Sequence, residues 1–382
     1  MKNSMKLGLA ALALVGTGLV TSSAQNSKIK AAFIYIGPVG DYGWTYAHEQ
    51  ARLEMQKAVP GVETITVESV PEGQAGPFLD KVVKDGAKVV FTTSFGYMDG
   101  TLEAAKKYPD VIFAHASGYK RAPNMATYMA DFYQVYYLNG MMAGALSKSN
   151  KIGYVGAFPI SEVKRHINAF AMGARAVNPK ATVNVRWINA WFNPAAAKEA
   201  TEALISEGID VMAFTEDTPT VVQTADKKGV LSFGHYTPMG KFGPKTVVSG
   251  QIVDWSIIYT DFMKNVVSGK YNTKNLQDVD YWWLLSKKAV KVGFDENNIV
   301  NPVFVDALKA KMVGKVNAYS LIMTRLNQMS KATPNFDPFT GPIKDRKGVV
   351  RVAKGKTLNP GELTSLEWAA PGVVGQWENE PK

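Results

Sequence analysis

Residues 29–53, IKAAFIYIGPVGDYGWTYAHEQARL, pass from a short apolar run through a glycine-rich turn into a helical pattern. The run Ala31 to Ile36 has the length and composition of a buried parallel strand, and Gly37, Pro38, Gly40 and Gly43 can continue neither regular element. Strand, loop and helix in that order open a parallel α/β sheet, where the loop at the strand's carboxyl end is the usual place for a ligand. This loop carries Asp41, Tyr42, Trp44 and Tyr46. Such rings gain from a flat partner to cover, and Trp44 can find one either in a ligand or in its own lobe.

Working outward, the same cycle recurs. Thr64 to Val70 reads as a strand, Gly76 to Lys84 as a helix and Lys88 to Phe91 as the next strand, which ends in Thr92-Thr93-Ser94-Phe95-Gly96-Tyr97. A helix over Asp99 to Tyr108 follows, then a strand over Val111 to Ala114 that runs into His115-Ala116-Ser117-Gly118-Tyr119. Ala126 to Met129 leads to Asp131. After a long helix from Phe132 to Lys148 the alternation restarts, with strands at Lys151 to Val155, Thr182 to Trp187, Val211 to Phe214 and Val230 to Phe233. Their ends carry Phe158-Pro159, Asn189-Ala190-Trp191-Phe192-Asn193, Thr215-Glu216-Asp217 and Gly234-His235-Tyr236. Alternation of this kind is the mark of doubly wound parallel sheets. Two lobes that both present aromatics and carboxylates at strand ends imply a cleft that closes by a hinge. Trp191 and Phe192 are adjacent, so on an extended segment they point oppositely; Trp191 is assigned to the cleft. Tyr281-Trp282-Trp283 fits the cleft mouth, the crossover between lobes or the tail.

The chain has 382 residues, no cysteine and a formal net charge of +10. Lys2 and Lys6, the apolar run Leu7 to Val20 and the small residues Ser22-Ser23-Ala24 read as a signal peptide over residues 1–24, cleaved after Ala24. Without a cysteine, no lipid anchor, disulfide or thiol chemistry is expected. The expected destination is the periplasm. Cleavage removes two lysines and leaves +8 on 358 residues, enough for two domains and a tail. The basic residues are scattered, which argues against nucleic acid. Four histidines at 48, 115, 166 and 235 show no metal-ligand spacing, and no G-x-S-x-G, Walker A or G-x-G-x-x-G pattern occurs. No cofactor, metal or catalytic residue is therefore expected.

The combination of GDYGWTYAHE, TTSFGYMDGTLEAAKKYPDVIF, DFYQVYYLNGMMAGALSKSNKIGYVGAFP, NAFAMGARAVNP and WFNPAAAKEATEALISEGIDV resembles the basic-membrane-protein family of solute-binding proteins, which serve ATP-driven importers. The tail TGPIKDRKGVVRVAKG is similar to that of a subgroup with adenine-binding members. The resemblance implies a type I periplasmic-binding-protein fold: a first lobe over 27–131 plus 251–279, a second over 132–250 plus 280–320, three crossovers, and a tail over 321–382 wrapping the surface. It implies that Trp44 and Trp191 cover the two faces of a purine and that Asp131 and Asp217 are the acidic groups of the site. Asp41, Tyr46, Ser94, Phe95, Gly118 and Asn193 complete the candidate ligand shell. Where nucleoside-binding relatives carry an aspartate and a lysine suited to ribose hydroxyls, this chain has Gly234 or His235, and Ile252. A free base, adenine-like, is favoured over a nucleoside. The expected protein is a monomer that does no chemistry and delivers its solute to a membrane permease. A ligand sensor for a chemoreceptor or kinase, and a nucleoside hydrolase using Glu216 or Asp217, are the alternatives.

Overall fold

The computed structural model describes residues 28–381. The segment read as a signal peptide, residues 1–24, lies outside the described residues. The opening unit forms β1 (Ile29–Ile34), a loop, and α1 (Trp44–Ala58). Ala31 to Ile34 are fully buried on both faces, which is why the run is continuous in apolar residues rather than alternating. Four further strands follow: β2 (Val62–Val67), β3 (Val89–Thr92), β4 (Ile112–Ala116) and β5 (Met125–Ala130). Helices α2 (Ala75–Lys84) and α3 (Met98–Lys107) cover one face.

Helix α4 (Tyr133–Leu146) carries the chain into a second lobe, with β6 (Lys151–Gly156), α5 (Ser161–Val177), β7 (Thr182–Trp187), α6 (Pro194–Ser206), β8 (Val211–Thr215), α7 (Thr220–Lys227), β9 (Leu231–Gly234) and β10 (Val247–Val253). Helix α4 is buried almost all round, and at its glycines its backbone comes up against that of α5. A Cβ on Gly140 would lie 2.0 Å from the Phe170 carbonyl oxygen, and one on Gly173 2.0 Å from that of Tyr137. The two glycines thus set the distance between the central helices of this lobe.

The chain then returns. Helix α8 (Trp255–Val267) packs on α1, and β11 (Asp280–Trp283) pairs in parallel with β5, completing a first sheet of order β11-β5-β4-β3-β1-β2. A third crossing leads to β12 (Val290–Val292), antiparallel to β10, then to α9 (Pro302–Ala310) and α10 (Ala318–Ser330), with α10 packed on α4. The second sheet runs β12-β10-β9-β8-β6-β7, with a last short strand, Val373–Val374, beside β7. Two doubly wound lobes and three crossovers match the expected architecture, with two corrections to the lobe boundaries. Gln251 to Val253 end β10 in the second sheet, and Asp280 to Trp283 lie in the first. Tyr281-Trp282-Trp283 is accordingly an edge strand entering the third crossover. The reason is local: DYWW is short and aromatic, with no alternation to reveal the sheet it joins.

The tail is fastened to the second lobe by buried polar contacts. Lys164 of α5, fully buried, donates to the Glu367 carboxylate and, at 2.7 Å, to the Glu378 carbonyl, while Asn168 donates to the Trp368 carbonyl and accepts from the Ala370 N–H, both at 2.8 Å.

Candidate functional site

In each sheet one strand has its successors on opposite sides: β1 lies between β2 and β3, and β6 between β7 and β8. Such switch points open a crevice at the carboxyl ends of the strands. The two crevices face each other across a nearly closed cleft with about 10 Å³ of free cavity volume, far below the ~300–1,000 Å³ usual for small-molecule sites. The first lobe supplies Ile36 and Trp44 from the loop after β1, Ser94 and Phe95 after β3, and Ser117 after β4. The second supplies Glu162 from the first turn of α5, and Trp191, Asp217 and Tyr236 from the loops after β7, β8 and β9.

Trp44 is the best-anchored wall. It is 5% exposed, its Nε1 donates to the Thr93 carbonyl at 2.5 Å, and its ring meets His48, Tyr236 and Trp255 edge-on at 4.5, 5.3 and 5.2 Å. It offers a cleft ligand a ring and no free donor. Trp191 is half-buried, tilted against Phe158 at 5.3 Å, and its buried Nε1 has no hydrogen-bond partner among the described residues. Its neighbour Phe192, in the same bend, is 43% exposed.

The carboxylates divide by what they touch. Asp217 is buried, and neither of its oxygens has a hydrogen-bond partner among the described residues. Burial pushes its pKa well above the ordinary carboxylate range, and the charges of Asp41 and Glu216 add to the rise. The Tyr236 hydroxyl is close enough to temper that rise without the geometry of a formed hydrogen bond. Glu162, in the first turn of α5, is also raised by burial, against the pull of Arg165. Glu216 points elsewhere: it accepts from the Thr218 N–H at 2.9 Å and from the Thr218 hydroxyl at 3.1 Å, and it braces its own turn. Among the described residues no lysine or arginine lines the cleft. The chemistry on offer is rings, two carboxyl groups and an indole N–H, which suits a flat solute with N–H donors on its edge.

Five sequence candidates stand outside this wall. Asp131 sits at the first crossover, fully buried. It accepts from Arg165 Nε at 2.7 Å and again from the guanidinium NH2, lies 3.4 Å from His166 Nε2, and accepts from the Tyr133 N–H at 3.0 Å. Burial would raise its pKa, but Arg165 and His166 hold it well below the usual carboxylate range. It ties the end of β5 in the first lobe to α5 in the second and does not line the cleft. Asp41 caps α1, its two oxygens accepting from the N–H groups of Gly43, Thr45 and Tyr46 at 2.8–3.0 Å. Tyr46 stacks on Tyr42 at 5.4 Å and lines a separate outer groove. Asn193 caps α6 through the Ala196 N–H at 3.1 Å. Gly118 leaves room for a ring: a Cβ there would lie 2.1 Å from His115 Cδ2.

Four wall residues escape a reading by residue type. Glu162 resembles any acid placed in the first turn of a helix, Tyr236 follows a buried histidine, and Ile36 and Ser117 are unremarkable in composition. The signal that could have found them is position, since each lies a few residues beyond the end of a parallel strand.

Asp41 carries a pH effect of its own. Burial pushes its pKa up to about 6, from an ordinary 3.8, against the three backbone hydrogen bonds. The folded protein therefore holds this proton more tightly than the unfolded chain, so the stability contributed by Asp41 is full below pH ~4 and is lost as pH rises through about 6. In Asp41→Asn, urea unfolding measured from pH 4 to 7 is expected to lack that component of the pH dependence. An unchanged pH profile would show that the carboxyl titrates normally.

A family model described as ABC transporter substrate-binding protein, PnrA-like, matches residues 28–320. A purine-binding protein of Brucella abortus is 37% identical over 362 residues, covering 94% of this chain and 97% of the relative. A putative ABC transporter glucose-binding protein of Haloferax volcanii is 40% identical over 260 residues, covering 68% of this chain and 65% of that relative. Among solved structures, a solute-binding protein of an ABC transporter system from Conexibacter woesei superposes with a TM-score of 0.59 at 19% identity, over 81% of this chain and all of the other. The fold is that of the type I periplasmic binding proteins, and the chain belongs to the PnrA-like family of ABC transporter substrate-binding proteins.

Proposed function

We propose that the protein is the extracytoplasmic receptor of an ABC importer and that it captures a purine base, adenine-like, in the cleft between Trp44 and Trp191. The observation that carries this reading is the pairing of ring walls from opposite lobes with the unbonded Asp217 carboxyl group and the unbonded Trp191 N–H. Each stacked face contributes on the order of 1 kcal/mol beyond the area it buries. A polar edge atom left without a partner costs about 1–3 kcal/mol, so the edge groups choose among bases. Both lobes must approach for both rings to cover one solute, which gives the closed form its differential affinity. The binding activity in the name of the Brucella relative points the same way.

Support for a base over a nucleoside comes from the two positions that lack ribose-type partners. His235 is buried with its Nδ1 3.2 Å from the Tyr136 hydroxyl, and Ile252 lines the outer groove rather than the cleft. The protein acts as a monomer in the periplasm, hands its closed form to a membrane permease and performs no reaction.

Calorimetric titration of refolded, ligand-stripped protein with adenine, adenosine, guanine, hypoxanthine and D-glucose tests this. Tight binding of one base, with a weaker nucleoside and no heat from glucose, is the expected result. Glucose is included because of the name carried by the Haloferax relative. Binding of glucose alone, or silence from all four purine compounds, removes the purine assignment.

A further inference from the structure

Tyr42 lies in the loop that bears Trp44, yet it does not line the cleft. It is 40% exposed, and its backbone is left-handed, with φ 58°. A bulky residue keeps such a conformation only where its surroundings impose it, and here they come from both lobes. From its own lobe, Asp41 accepts from the N–H groups on either side of Trp44 and fixes the turn, and Tyr46 stacks on the ring. From the second lobe, Thr237 Oγ1 donates to the Tyr42 carbonyl at 2.8 Å. Phe242 meets the Tyr42 ring edge-on at 5.5 Å, and the Lys241 ammonium stands 4.0 Å from its centroid and 4.9 Å from that of Phe242.

Thr237, Lys241 and Phe242 all belong to the segment between β9 and β10, and none of them lines the cleft. A first-lobe ring therefore rests on a second-lobe cation and ring at the outer lip. Next to it the lobes touch through their backbones, since a Cβ on Gly43 would lie 2.6 Å from the Asp217 carbonyl oxygen. These contacts can exist only when the lobes are together.

We propose that Tyr42 is a closure latch, a positioning residue whose contacts with Thr237, Lys241 and Phe242 populate the closed form before a solute is bound and so raise the affinity for every solute by a common factor. The arithmetic follows from a binding-competent fraction: apparent Kd is the intrinsic Kd divided by that fraction, whatever the ligand. A residue that touches the solute changes the ratio between two solutes. A latch leaves the ratio alone.

Because the chain has no cysteine, Lys106→Cys on α3 and Lys198→Cys on α6 can carry a single pair of spin labels, one per lobe, for interlobe distance distributions without solute. In that background Tyr42→Ala is expected to move population to the open distances, Lys241→Gln to move less of it, and Tyr42→Phe to retain the starting distribution. Titration with adenine and adenosine should then show both affinities falling by the same factor in Tyr42→Ala, roughly 3- to 10-fold. A distance distribution unaltered by Tyr42→Ala, or unequal losses for the two solutes, overturns the latch. The solute arm rests on the purine reading and the distance arm does not. If the starting protein binds neither compound, the purine reading fails while the distance comparison still decides the latch.

Discussion

Trp191→Ala is expected to weaken binding of the captured base about 30- to 150-fold, equivalent to roughly 2–3 kcal/mol, while urea unfolding shifts by less than about 1 kcal/mol. The loss combines one stacked face, the apolar area it covers and the donor at Nε1, which has no partner among the described residues. Stability is spared because the side chain is only half-buried and its ring contact is with Phe158 at the rim. Trp44→Ala is the less informative experiment. That indole is locked by His48, Tyr236, Trp255 and the Thr93 carbonyl, so its removal leaves a cavity costing about 3–5 kcal/mol in folding as well as in binding. Calorimetry and unfolding on the same Trp191→Ala preparation separate the two quantities. Undiminished affinity would remove Trp191 from the site.

The largest loss of stability is expected from Arg165→Met. It would leave the fully buried Asp131 carboxylate without its guanidinium partner, and breaking a buried pair on one side costs about 3–5 kcal/mol. The sign of the pH effect identifies the mechanism. Because Asp131 is held below its ordinary pKa in the folded protein, its contribution to stability is present above pH ~4 and is lost as pH falls below that. In Arg165→Met the deficit should therefore be full at neutral pH and shrink in acid, where Asp131 can take up a proton. The double variant Asp131→Leu with Arg165→Met should recover much of the loss at pH 7, since neither charge then remains buried alone. A deficit of the same size at every pH, with no recovery in the double variant, would mean that Arg165 matters for packing and not for its charge.

These two residues also mark what a sequence can and cannot disclose. The opening strand, loop and helix were legible because parallel strands buried on both faces are continuous apolar runs, and because glycine and proline punctuate them unmistakably. Repetition of that unit gave both lobes. Trp191 and Phe192, neighbours in a bend, face differently, the first lining the cleft and the second largely exposed. Asp131 was a different matter, since its partner Arg165 lies 34 positions later, on a helix of the other lobe, and nothing local distinguishes a carboxylate awaiting a ligand from one already paired. Asp41 and Asn193 pose a related ambiguity: the residue types that contact polar solutes are also those that cap helices, and here both accept from the N–H groups of a helix's first turn. Glu162 was overlooked in reverse, because an acid in a helix's first turn already has a sufficient explanation in the helix dipole. Lobe membership of Asp280 to Trp283 depended on pairing with β5, about 150 residues away, and such long-range register has no signature in a four-residue aromatic run.

The short strand Val373–Val374 has a bearing on how the molecule lives among copies of itself. Without it, β7 would be the margin of the second sheet, with a row of backbone N–H and C=O groups open to any extended chain that drifted past. Two residues of the tail occupy that margin. The Val183 N–H, at this edge, donates to the Gly372 carbonyl at 2.8 Å, and the following chain is pinned where Arg346 engages the Glu380 carboxylate at 2.7 and 2.9 Å. The tail is thus a selvedge, the finished border that keeps a woven sheet from joining its neighbour.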